Sequence, residues 1–128
     1  MKENNEEQAW AAGFFDGEGY IAARSTGKRY QRQDGSLGKQ YFSLRMTVVQ
    51  TGDYAVEMLT RFKDAVGHGA VHGPFNVKKH TNWSKRYEWR CCGYEKCISV
   101  CETLKPWLTN RKLDQINSAM EQLKLNGT

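Results

Sequence analysis

The residues with the clearest capacity for chemistry are Asp16 and Glu18, each followed by a glycine in the run F-F-D-G-E-G. A carboxylate at such a place offers hard oxygen ligands, which suit Mg²⁺ or another divalent cation such as Mn²⁺. Taken alone, D-G-E-G reads equally as a turn, because Asp bonds its own backbone and glycine enters left-handed conformations without strain. A second candidate is a zinc module built from Cys91, Cys92, Cys97 and Cys101 with His68, His72 or His80. The spacing C-C-x4-C-x3-C is not a paired knuckle, and Cys97 and Cys101, four apart with Leu104, read better as buried thiols filling core volume. Trp83, Trp89 and Trp107 read as core or strand-end aromatics and imply no small-molecule cofactor.

These residues need a frame. The 128 residues suit one domain spanning 1–128, and the formal charge of +5 favours an anionic partner. The charge is unevenly placed: residues 20–50 hold Arg24, Lys28, Arg29, Arg32, Lys39 and Arg45 against Asp34 alone, and residues 77–90 hold Lys78, Lys79, Lys85, Arg86 and Arg90 against Glu88. Residues 1–19 are acidic. With no signal or transit peptide and no apolar run long enough for a bilayer, the expected setting is non-secreted, either cytoplasm or organellar matrix, with free thiols and no membrane partner.

Periodicity sets the elements. Asn4 or Asn5 can cap a helix running to about Asp16, with Glu6 and Glu7 favourable in its first turn. Residues 20–33 and 39–51 alternate around the turn chemistry of Q-D-G-S-L-G, a hairpin pattern. Ala55, Met58, Leu59, Phe62 and Val66 follow at helical spacing, with Asp53 as cap and Gly67 as stop. Residues 69–79 and 83–92 alternate again, Pro74 demoting its strand towards an edge. Two further helical runs flank Pro106, the second with Leu113, Ile116, Met120 and Leu123 in one stripe.

Strand parity then assigns two faces. Ile21 and Ala23, then Phe42, Leu44, Met46 and Val48, then Val71, Phe75 and Val77, then Tyr87, Trp89 and Cys91 give the apolar side. Opposite them stand Arg24, Thr26, Lys28 and Arg32, then Tyr41, Ser43, Arg45 and Thr47, then His72, Asn76 and Lys78, then Arg86, Glu88 and Arg90. Charges on a strand are commonly just solvated, but the same bias on four strands suits a duplex groove, where Arg and Asn read bases and Lys meets phosphate. On the first helix Ala9, Ala12, Gly13 and Asp16 form a narrow stripe of small residues that lets a second helix approach closely.

The stretch A-A-G-F-F-D-G-E-G resembles the signature of the LAGLIDADG homing endonucleases, and L-R-M-T-V-V-Q-T and L-K-P-W-L-T-N-R-K-L-D-Q-I resemble further segments of that family, so that the likeness runs from about Gln8 to Leu123. It implies an α+β fold of order αββαββα, with a four-stranded antiparallel saddle-like sheet and helices on one face. It implies a site-specific, metal-dependent endonuclease that hydrolyses both strands of duplex DNA in intron-homing fashion; the alternative is a catalytically inactive DNA- or RNA-binding protein, a maturase or regulator, on the same fold. By resemblance Glu18 is the catalytic metal ligand, assisted by the carbonyl of Gly17, and Asp16 is structural at the helix interface. Arg111 aligns with the basic residue supporting the scissile phosphate, Lys112 is its reserve, and Thr47 stands where relatives often order water through Gln. A single motif copy implies a homodimer.

Overall fold

The computed structural model describes residues 2–25, 31–36, 42–75 and 85–126. Its elements are α1 (Lys2–Glu18), β1 (Gly19–Ser25), β2 (Phe42–Thr51), α2 (Ala55–Val66), β3 (Ala70–Phe75), β4 (Arg86–Cys92), α3 (Tyr94–Leu104), a 3₁₀ turn (Lys105–Trp107) and α4 (Asn110–Asn126). The strands make an antiparallel sheet in the order β1-β2-β4-β3. Pro74 does lie on an edge strand, where its missing N–H costs no ladder bond. None of the described helices is long and apolar enough to cross a membrane.

The alternation of β2 puts Leu44, Met46 and Val48 fully into the core, and that of β4 does the same for Trp89 and Cys91. The helices cover this face through Ala11, Ala12 and Phe15 of α1, Leu59 and Phe62 of α2, and Cys97, Val100, Cys101 and Leu104 of α3. Phe62 is the centre of an aromatic cluster: it meets Trp89 edge-on with centroids 4.8 Å apart, and lies 5.7 Å from Phe14 and 6.2 Å from Phe15. Each such pair adds about 0.5–1.5 kcal/mol to the area it buries. Cys97 Sγ donates to the Cys91 carbonyl at 3.3 Å, and burial raises the Cys101 thiol to about 11, so Cys97 and Cys101 are protonated thiols of the core.

Five sequence expectations need correction. Helix α1 begins at Lys2, so Asn4 and Asn5 lie inside it and neither is its cap. Asp53 does not cap α2: Tyr54 occupies the cap position without a side-chain bond, whereas Gly67 does end the helix in the left-handed conformation at φ 78°. Helix α1 continues through Gly17 to Glu18, so D-G-E-G is a helix end and not a tight turn. A register shift between His72 and Phe75 moves Phe75 off the apolar face; it now pairs with Arg86 and lies beneath Arg86 and Arg90. Trp107 is 39 % exposed in the 3₁₀ turn, neither core nor strand end.

Candidate active site and nucleic-acid interface

The carboxyl end of α1 is held by residues at the start of α4, 93 to 95 positions away in the chain. The Thr109 N–H donates to Asp16 Oδ2 at 2.7 Å and its hydroxyl to Oδ1 at 2.8 Å, so Asp16 serves as a long-range cap on the start of α4. Burial pushes the Asp16 carboxyl up, but these two bonds and the charges of Arg111 and Lys112 together hold it below its ordinary value. Arg111 Nη2 donates to the Asp16 carbonyl at 2.6 Å, while the side chain as a whole stays 69 % exposed.

Lys112 is the opposite case. It is 2 % exposed, its Nζ donates to the Gly19 carbonyl and to Gln115 Oε1, each at 2.8 Å, and the ammonium stands 5.2 Å over the Phe15 ring. Burial lowers its pKa, the neighbouring Arg111 charge adds to this, and Asp16 partly opposes it. The two basic residues thus bond carbonyls on either side of Gly17 and Glu18, Arg111 that of Asp16 in the last turn of α1 and Lys112 that of Gly19 at the start of β1.

Glu18 itself is exposed, at the negative end of the α1 dipole. The side chain that reaches it is Gln50, whose Nε2 lies 3.5 Å from Glu18 Oε1. Thr47 lies on the cationic face where its parity puts it, paired with Tyr20 and Arg90. Gln50 escaped sequence reasoning because it shares the parity of Leu44, Met46 and Val48 and so reads as core; the signal was its place just past the last buried residue of β2.

The outer sheet face carries Arg24, Ser43, Arg45, Thr47, Arg86, Glu88 and Arg90, with His72 paired to Glu88. Tyr20, Arg24, Arg45, Thr47, Val49 and Glu88 surround a depression of about 240 Å³. Arg45 Nε is buried with no hydrogen-bond partner among the described residues. Arg32 stands in the turn between β1 and β2, where Asp34 Oδ1 accepts from Ser36 N and Oγ at 2.9 and 2.6 Å. Thr26, Lys28, Tyr41, Asn76 and Lys78, also expected on this face, lie outside the described residues, as do His80 and Trp83.

On α1 the small-residue stripe is partly reassigned. Ala12 is fully buried within its own chain and cannot meet a partner, and Asp16 is occupied by Thr109 and Arg111. The open small positions are Gly13 and Gly17, where an added Cβ would meet nothing within 4 Å, with half-buried Ala9 one turn before them.

No protein-family model and no curated protein matches the sequence. Among solved structures, the chain superposes on homing endonuclease I-CvuI in complex with its target with a TM-score of 0.62 at 21 % identity, covering 97 % of this chain and 68 % of that one. It superposes on the LAGLIDADG meganuclease I-CpaMI bound to uncleaved DNA with a TM-score of 0.66 at 14 % identity, covering 91 % of this chain and 35 % of that one. For the I-SmaMI LAGLIDADG homing endonuclease bound to cleaved DNA the score is 0.65 at 16 % identity, over 93 % of this chain and 36 % of the other. The four-stranded antiparallel sheet of this chain, with helices packed on its apolar face and α1 leading straight into the first strand, is the LAGLIDADG homing-endonuclease fold.

Proposed function

We propose that this chain is a single-motif LAGLIDADG endonuclease that binds duplex DNA through its basic sheet face and, as a homodimer, hydrolyses one phosphodiester bond per subunit with a divalent metal. The observation that carries the reading is Glu18, an exposed carboxylate at a helix C-terminus, adjoined by Gln50 and braced by Lys112 and Arg111 through the neighbouring backbone. The structural neighbours were solved in complex with DNA, which supports the same partner.

The residues fit Mg²⁺. Their donors are hard oxygens, the Glu18 carboxylate and the Gly17 carbonyl, and the helix dipole adds partial negative charge. The remaining oxygens would come from the Glu18 of a second copy and from the DNA phosphate. Abutting α1 helices at Gly13 and Gly17 would bring the two carboxylates together. When bound, the ion polarises the phosphate and lowers the pKa of attacking water. Gln50 orients Glu18; Arg111, anchored by one nitrogen to Asp16, offsets charge gathering on the phosphate. Lys112, already committed to Gly19 and Gln115, positions the backbone next to Glu18. An acceptor on the DNA would also satisfy Arg45 Nε.

The test is Mg²⁺-dependent cleavage of a randomised duplex pool. Glu18→Gln keeps duplex binding and loses cleavage by more than the ~10- to 100-fold typical of disturbing an outer-shell partner. Parental cleavage by this variant removes Glu18 from the mechanism, and duplex binding by the parent without Mg²⁺-dependent cleavage replaces the endonuclease reading with that of a maturase or regulator on the same fold.

A further inference from the structure

The β3–β4 edge of the basic face is more ordered than a row of solvated charges. Glu88, its side chain only 14 % exposed, holds Arg90 Nε at 2.9 Å on one oxygen and Arg86 Nη2 at 3.5 Å on the other. Both guanidinium carbons stand over the Phe75 ring, at 5.3 Å for Arg86 and 5.6 Å for Arg90. The ring is available because the register shift before it turns Phe75 out of the core. A guanidinium with its edge on a carboxylate and its face on an aromatic ring has given up much of its freedom before any ligand arrives, so less is lost when it binds one.

We propose that Arg90 and Arg86 each read a guanine in the major groove, with Glu88 as the positioning residue that holds both; this rests on the duplex-binding reading of the sheet face. The bond to Arg90 uses Nε, which leaves its terminal nitrogen pair, the fork that matches guanine O6 and N7. Arg86 meets Glu88 through Nη2 only at an ion-pair distance of 3.5 Å, so its terminal pair is not locked to the carboxylate. Glu88 is turned to the arginines and not to cytosine: one oxygen accepts from Arg90 Nε, Arg86 Nη2 lies 3.5 Å from the other, and the side chain is only 14 % exposed. Adenine is read by Asn or Gln, and the described face of β3 and β4 carries neither. As both guanidiniums share one ring, their two guanines fall within about three base-pair steps of ~3.4 Å.

A competing role is purely structural, since charges commonly guard an edge strand against mispairing. Selecting bound sites from a randomised duplex pool with the parent, Arg90→Ala, Arg86→Ala and Glu88→Gln separates the two. The parental sites carry guanine at two positions within that window; Arg90→Ala flattens one preference and Arg86→Ala the other, each by about 5- to 150-fold in relative affinity. Glu88→Gln weakens both preferences yet raises affinity for unrelated duplex, because a negative charge leaves the face; a merely structural glutamate would lower selective and unselective binding together. Guanine frequencies in both Ala variants equal to the parent's overturn the proposal while leaving duplex binding intact, as does a parental consensus without guanines in such a window. A parent that binds no duplex overturns the functional reading and this one with it.

Discussion

Asp16 and Glu18 stand two positions apart and have opposite surroundings. The first is consumed by its own chain, with two bonds from Thr109 and one close approach by Arg111; the second is exposed and has only Gln50 beside it among the described side chains. This division makes Asp16 a stability residue, testable without any DNA. Losing its cap on α4 by Asp16→Asn costs about 1 kcal/mol at neutral pH, or about 4 °C in Tm for a chain of this size. Because the folded carboxyl titrates below its ordinary 3.8, its contribution is complete above that value and disappears as pH falls through the lower one. Thermal melts from pH 7 down to about pH 3 should therefore show the gap between parent and Asp16→Asn closing below about pH 4. A gap constant across that range would mean that the carboxylate charge contributes nothing at the α4 terminus.

At the scale of elements, three glycines of one motif separate into two physical classes. A Cβ at Gly19 would run into the Phe15 ring, so the strand start needs glycine for this chain's own packing; at Gly13 and Gly17 the space is open. Gly19→Ala should lower stability by about 1–3 kcal/mol through overpacking. Gly13→Leu should instead keep the helical circular-dichroism spectrum of the parent and abolish the proposed dimer in sedimentation; a variant that still dimerises like the parent would remove the α1 stripe from the interface. The sequence made most elements legible, since Leu44, Met46 and Val48 alternate and Ala55, Leu59, Phe62 and Val66 recur at helical spacing, and each pattern is local. What it hid depends on distant contacts or on a broken pattern. The extension of α1 through Gly17 is held by Arg111 and Lys112, at separations of 95 and 93 residues. Phe75 changes face because Pro74 and the bulge interrupt strand parity, and Gln50 shares the parity of Leu44, Met46 and Val48 although it lies just past the last buried position of β2. Glu18 was legible by its type and by the glycines around it, and its brace was not.

Over the whole molecule, charge and topology act together. The helices cover one side of the sheet, leaving Arg24, Arg45, Arg86 and Arg90 on the other, while Glu6, Glu7, Glu57 and Asp64 lie on α1 and α2, away from that face. Glu7 is matched by Arg61, at 2.7 Å, and Arg61 also covers the Trp10 ring at 4.0 Å, so a basic residue on the helical side is internally compensated. On the sheet side the one acidic residue set among the described arginines is Glu88, and it is spent on Arg86 and Arg90. The positive field is therefore directional, not a diffuse consequence of the net +5. A surface of this kind gains affinity by releasing counterions from DNA, at about 0.9 in the slope of log affinity against log salt for each phosphate neutralised. If two copies together neutralise only about six phosphates, duplex affinity should fall about 10³-fold between about 50 and 200 mM salt. Fluorescence anisotropy of a labelled duplex across a KCl series measures that slope. Arg24→Ala should reduce it if Arg24 meets phosphate, whereas Arg61→Ala, on the other side of the molecule, should leave it as in the parent. A flat titration, or equal losses of slope in both variants, would mean that the sheet is not the surface on which DNA lies.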